Sequence, residues 1–150
     1  MKPAIRVIAL LLFCHLLSGQ SVNISNLPSP VKDEFDLLYP DAESVSWKVQ
    51  HTKYLATFRN NKMETMALIR EDGKLLQTET QIKIIALPPS AAAYLQEESK
   101  SKKIESAAIL ESESGVITFK AMVDKEEFWF DADGHVCVYG AVSIGSGGTQ

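Results

Sequence analysis

Few residues in this chain could do chemistry. Beyond the first twenty positions there are two histidines, His51 and His135, and one cysteine, Cys137. His135 and Cys137 stand two apart, so on a strand they share a side, as two ligands of one metal would. A structural zinc needs four donors, and no third one stands at a matching spacing. Phe130-Asp131-Ala132-Asp133-Gly134 has the opening of a calcium loop. Such a loop also needs a third oxygen donor and a late glutamate, and here valines follow instead. The segment reads as a hairpin turn, and Glu71-Asp72-Gly73 has the same form. Gly140 to Gly145, with Ser143 inside it, lacks nucleophile-elbow spacing. The acidic pairs Asp33-Glu34, Glu97-Glu98 and Glu126-Glu127 fit exposed helix or turn positions. The expectation is no catalytic residue, no metal site and no cofactor, hence no enzyme.

The chain must position whatever it does carry with 150 residues, 45% of them apolar and 23% charged. That is ordinary globular usage, enough for one domain or two very small ones. Its first segment is different material. Lys2 and Arg6 precede or enter an apolar run from Ile5 to Leu17. As a helix, that run reaches only ~20 Å at ~1.5 Å per residue, short of a ~30 Å hydrocarbon core. With Leu17-Ser18-Gly19 after it, residues 1–19 read as a signal peptide cut after Gly19, not as a membrane anchor. The protein is then expected in the periplasm or secreted. Removing Lys2 and Arg6 leaves 13 Lys+Arg against 19 Asp+Glu, and takes the formal charge from −4 to −6. A net acidic chain whose one basic cluster, Lys100-Ser-Lys102-Lys103, is flanked by glutamates is no nucleic-acid binder. Cys14 leaves with the leader, so Cys137 has no partner for an intramolecular disulfide.

The rest of the chain reads as one plan written twice. Leu27-Pro28 and Leu87-Pro88 stand 60 apart, Asp72-Gly73 and Asp133-Gly134 stand 61 apart, and each interval holds one helical stretch followed by strands. The expected units are 20–86 and 87–143, with a flexible glycine-rich tail over 144–150. Helix one opens with Ser29 as N-cap and Pro30 at the first helical position, carries the stripe Val31, Phe35 and Leu38, and stops at Tyr39-Pro40. Helix two runs from Pro89 or Ser90 to Glu98, with Ala91, Tyr94 and Leu95 inward.

Strands follow each helix. Val45, Trp47 and Val49 alternate with polar residues, which points Trp47 into the core. A turn at Asn60-Asn61 pairs Phe58 with Met63, and a strand from Lys74 to about Ile84 follows Asp72-Gly73. In the second unit Ile117, Phe119, Ala121 and Val123 alternate, Asp124-Lys125 turns the chain, and Phe128 and Phe130 return on the same face. A two-residue Asp133-Gly134 turn then sets Phe130 against Cys137 and Phe128 against Tyr139, burying the thiol among phenylalanines. The opposite face collects Met122, Trp129, Val136 and Val138, joined by Leu55, Met66, Leu68 and Leu75 from the first unit. Water-facing strands are normally polar there, so this apolar face is the candidate partner-binding surface.

The run Leu27-Pro28, Phe35, Tyr39-Pro40-x-Ala42, Val45-x-Trp47, Tyr54-x-Ala56-x-Phe58 and Asp72-Gly73 resembles the PepSY-like family of the beta-lactamase-inhibitor type. Leu87-Pro88, Phe119-x-Ala121 and Phe130-x-x-x-Gly134 continue the resemblance, while the second copy lacks the Tyr-Pro and the tryptophan of the first. The resemblance implies an α+β fold of two tandem helix-plus-antiparallel-sheet repeats, exported and without enzyme activity. Three roles fit: binding an envelope protein through the apolar face, binding a small ligand or peptide in a cleft between the repeats, or forming a structural homodimer.

Overall fold

Alternation of apolar and polar residues, broken by short turns, builds one sheet with two helices laid on it. The computed structural model describes residues 20–99 and 103–138. The elements are β1 (Gln20–Ser21), α1 (Ser29–Leu38), β2 (Glu43–Gln50), β3 (Lys53–Asn60), β4 (Met63–Arg70), β5 (Leu75–Ile82), α2 (Pro89–Ser99), β6 (Ile104–Ser112), β7 (Ile117–Val123) and β8 (Glu126–Phe130). All eight strands pair antiparallel with their neighbours in chain order, and β5 pairs β6, so a single sheet runs under both helices. The proposed leader, Tyr139, the Gly140–Gly145 segment and the tail lie outside the described residues. Among the described residues no helix is long and apolar enough to cross a membrane.

Each helix covers its own core on one face of the sheet. Beneath α1, Val31 and Phe35 pack on Trp47, Ala56, Phe58, Ala67 and Ile69. Beneath α2, Ala91 and Leu95 pack on Ala107, Ala121, Val123 and Phe130. Alanines occupy matching cross-strand positions, Ala56 opposite Ala67 and Ala107 opposite Ala121. A small side chain at the centre of the floor lets the helix approach, while larger neighbours fill the flanks.

Helix α1 begins a residue earlier than its sequence suggests. Pro28 is the N-cap, without a side-chain cap bond, and its carbonyl accepts from the Val31 and Lys32 N–H groups. The stripe also ends differently, because Leu38 stays 41% exposed and Tyr39 packs on the core instead.

Turn chemistry fixes the registers. Asn61 and Lys62 both take positive φ, 49° and 66°, so the β3–β4 turn centres one residue beyond Asn60-Asn61. Phe58 therefore faces Thr65 rather than Met63. This slip is two residues along the partner strand, so every side chain keeps its expected face. Asp124 and Lys125, at φ 51° and 65°, turn β7 into β8 as expected.

The Asp-Gly turns are longer than two residues. The Gly73 N–H donates to the Arg70 carbonyl and the Arg70 N–H to the Lys74 carbonyl, closing a three-residue loop with Gly73 at φ +90°. Gly134 repeats this at φ +83°, with Asp131 facing His135. The added residue shifts the following segment by one, which exchanges its faces.

Candidate functional site

The sheet face opposite the helices is the far face, and register places each candidate residue on or off it. Leu55 and Leu68 are direct cross-strand partners on β3 and β4, and Met66 lies two residues before Leu68 on the same side. Met122 on β7 faces Glu127, while Trp129 on β8 faces Lys120. These five residues share the far face, all half-buried. They form two flanks, one on β3–β4 and one on β7–β8, separated by β5 and β6.

Val136 and Val138 do not join them. Val136 bridges Phe130, whose side chain belongs to the α2 core, so the three-residue loop carries Val136 to the helix side. Val138 follows two residues later and is 71% exposed. Cys137 makes the reverse move. Its N–H donates to the Trp129 carbonyl at 2.9 Å, which sets it opposite Trp129 on the far face, half-buried and away from the phenylalanines. Burial, then the Asp131 carboxylate, pushes the Cys137 thiol above its ordinary pKa and keeps it protonated. Leu75 also leaves the far face: a bulge after Leu68 sets it opposite Ile69, against the α1 core.

Between the two flanks lies a feature that alternation alone did not reveal. Glu79 on β5 accepts a hydrogen bond from the Lys120 ammonium on β7, and their side chains are only 5% and 12% exposed. To meet, the two side chains must cross β6, where Ala108 faces Lys120 and Leu110 faces Glu79. Ala108 and Leu110, under that crossing, are buried on the face away from α1 and α2. The ammonium also stands 5.5 Å from the Trp129 ring centroid, a cation–π contact. Taking two charges out of water is costly, so such a pair is poor evidence of stability, but it holds Lys120 and the indole in a defined arrangement. The available signal was Lys120 itself, a charge between Phe119 and Ala121, together with the polar run Gln77-Thr78-Glu79-Thr80-Gln81.

That polar run has a second consequence on the helix side. Thr78 and Thr80 lie in the floor between the two cores and belong to neither. With Thr65 they floor an open trough of about 980 Å³, walled by Tyr39, Glu34 and Glu111. It lies on the helix side of the sheet and is lined by β4, β5 and the β6–β7 turn.

The turn residues form a third group. Donor atoms of Asp131, Asp133 and His135 lie within 4.8 Å of one another. The Asp131 Oδ1 already accepts from the Asp133 and His135 backbone N–H groups, and Asp72 Oδ1 accepts from the Lys74 N–H in the other Asp-Gly loop. Turn closure explains the carboxylate's position. His51 is remote from it, exposed in the β2–β3 turn at φ 57°.

No family model and no curated protein matches the chain. Solved structures do. The chain is similar to a BLIP-like protein from Bacteroides fragilis, with TM-score 0.64 and 22% identity over 75% of this chain and 84% of the other. It is similar to a protein from Bacteroides eggerthii provisionally described as periplasmic, with TM-score 0.69 and 17% identity over 75% and 86%. A DUF2874 family protein from Bacteroides uniformis gives TM-score 0.67 and 16% identity over 74% and 86%. At these identities the likeness is one of fold. The chain has a BLIP-like α+β fold, an eight-stranded antiparallel sheet with two helices.

Proposed function

We propose that this is an exported, noncatalytic binding protein that engages a cell-envelope protein through the far face of its sheet. The observation that carries the reading is the Trp129–Lys120–Glu79 cluster, held on the face away from both helices and flanked by Leu55, Met66, Leu68 and Met122. An indole fixed over a buried charge, with flexible apolar side chains beside it, is the composition of an interface centre. Burying one large apolar side chain contributes about 1.5–3 kcal/mol, so several together hold a partner usefully.

The wider reading comes with it. Residues 1–19 serve as the leader, cut after Gly19, which delivers the chain to the periplasm or beyond. Residues 20–86 and 87–143 are copies of one PepSY-like unit. Support for the duplication comes from the paired Asp-Gly loops and the paired 3-10 turns at Ile24–Asn26 and Ile84–Ala86.

The test compares the purified protein with its Trp129→Glu variant as baits in envelope extract, after both give the same folded circular dichroism spectrum. The expected result is one protein retained by the wild type and lost by the variant, with the crosslinked contacts mapping to β7 and β8. Retention by both baits alike would sink the far-face reading. A concentration-dependent dimer in sedimentation, dissociated by Trp129→Glu, would reassign the same face to self-association.

A further inference from the structure

The trough on the helix side is built on a strand whose middle, Gln77 to Gln81, is polar on both faces. Strand β5 contributes Gln77 and Glu79 to the far face and Thr78 and Thr80 to the helix side, so the two apolar cores cannot merge across it. A sheet centre under helices is normally apolar. Here the floor is hydroxyl-bearing, and the Thr65 and Thr80 hydroxyls lie 3.4 Å apart in a hydrogen bond either could donate. The volume of about 980 Å³ is at the upper end of the ~300–1,000 Å³ typical of small-molecule sites.

Its walls are acidic. Asp72 is held by Arg70, and Lys74 is held by Glu113 at 3.2 Å, so those charges are already matched. Glu34 on α1 and Glu111 on β6 have no ion-pair partner among the described residues. Both line the trough, Glu34 half-buried and Glu111 exposed, together with Tyr39. Burial, then the Glu111 and Glu34 carboxylates, pushes the Tyr39 hydroxyl above its ordinary pKa, so it stays a neutral donor and acceptor at neutral pH.

We infer that the trough is a binding site for an organic cation, an alkylammonium or guanidinium group, held between Glu34 and Glu111 over the Thr65–Thr78–Thr80 floor. An ammonium brings three donors and a guanidinium five, with no acceptor, which matches walls of carboxylates and a floor of hydroxyls. An anion would meet two unmatched carboxylates, and an apolar ligand would leave the floor hydroxyls without water. The group can arrive on a free small cation or on the side chain of a basic peptide. The site lies on the opposite face from the Trp129 cluster and stands or falls separately from it.

The test titrates the purified protein by calorimetry with three probes: spermidine, arginine amide, and a blocked Ala-Arg-Ala tripeptide. Glutamate serves as the anionic control. The expected result is binding of at least one cationic probe with Kd below about 1 mM. It weakens about tenfold or more in Glu34→Gln/Glu111→Gln, moves the Thr65, Thr78 and Thr80 amide resonances, and is unchanged by Trp129→Glu. Binding of the free cations places the natural ligand among small molecules, and binding of the tripeptide alone places it on a peptide. Tyr39→Phe, which keeps the ring on Phe58, should give a smaller loss. No binding by any cationic probe, equal binding by the double variant, or equal binding of glutamate would overturn the assignment.

Discussion

The two cores of this sheet occupy equivalent places and are filled by different chemistry. Under α1 the contacts are ring on ring: Phe35 meets Trp47 at 4.9 Å and Phe58 at 5.0 Å, both edge to face, and Tyr39 meets Phe58 at 4.7 Å. Under α2 the nearest ring pairs are Tyr94 with Phe130 at 6.0 Å and with Phe128 at 6.3 Å, and the fully buried helix positions are Ala91 and Leu95. One small position is common to both floors, Ala56 on β3 and Ala121 on β7, while Ala67 and Ala107 stand where the other half carries Phe128 and Trp47. What differs is how much one side chain carries. Phe35 touches three other rings, so its loss empties the centre of the first core.

This difference can be broken by truncation. Phe35→Ala is expected to cost about 3–5 kcal/mol, the range for a buried phenylalanine, and to fall in its upper part. Leu95→Ala, within the ~2–5 kcal/mol range for a buried leucine, should cost less, because smaller neighbours can close around it. Urea unfolding of both variants with unchanged slope measures the difference. A Leu95→Ala loss equal to that of Phe35→Ala would show the second core to be as dependent on one residue as the first.

A feature the two halves share gives a sharper comparison. A Cβ on Gly73 would lie 2.8 Å from the Pro30 carbonyl oxygen, and one on Gly134 would lie 2.8 Å from the Ala91 nitrogen. Each Asp-Gly loop is therefore pressed against the start of its helix, and each needs both positive φ and the missing Cβ. Gly115, at φ +78°, meets nothing within 4 Å. Alanine at Gly115 should cost only the left-handed backbone penalty, about 1–2 kcal/mol. Alanine at Gly73 or Gly134 adds a backbone clash, and both should lose more stability than Gly115→Ala in the same urea experiment. Equal losses at all three positions would mean that the loop–helix contact is slack.

These contacts also show what the chain made legible. Both helices, the hairpins within each half and the assignment of Trp47 to the core follow from periodicity, because a buried stripe must match the period of its element, whereas the strand Ile104–Ser112 and its pairing with β5, which join the halves in one sheet, were not read. The Asn60 region was misread by two residues along β4 with no effect on faces. The Asp133-Gly134 loop was misread by one, which moved Cys137 to the far face and Val136 off it. An Asp-Gly pair closes either a two-residue or a three-residue loop, and the contact of Gly134 with α2 that favours the longer one is not local in sequence. The Glu79–Lys120 pair was hidden for a related reason. It joins residues 41 apart across an intervening strand, and alternation reports faces, not which residues meet on them.

The smallest expected effect separates the two Asp-Gly loops by their electrostatics. Asp72 is gripped by the Arg70 guanidinium through two hydrogen bonds, at 3.0 and 2.5 Å, and accepts the Lys74 N–H. The Arg70 contact, then the Lys74 amide, holds its carboxyl well below the usual range, at about 2. In the second loop Asp131 stands where Arg70 stands in the first, so the carboxylate that closes that loop sits at its start, before Ala132-Asp133-Gly134. The His135 and then the Asp133 amide lower its pKa, with a further contribution from the His135 ring at 3.5 Å. A carboxyl whose folded pKa lies below its unfolded value stabilises the fold above the unfolded pKa, and that contribution is lost as pH falls through the folded one. The Asp72 contribution is therefore complete above about pH 4 and lost on the way down to about 2. Carboxyl carbon NMR titration should find the Asp72 midpoint below that of Asp131. Arg70→Gln should raise the Asp72 midpoint toward the Asp131 value and leave Asp131 unmoved, because the Lys74 amide bond to Asp72 remains and the Asp131 loop is untouched. An Asp72 midpoint still near 2 in that variant would assign the depression to the loop backbone, and the two loops would then be electrostatically alike.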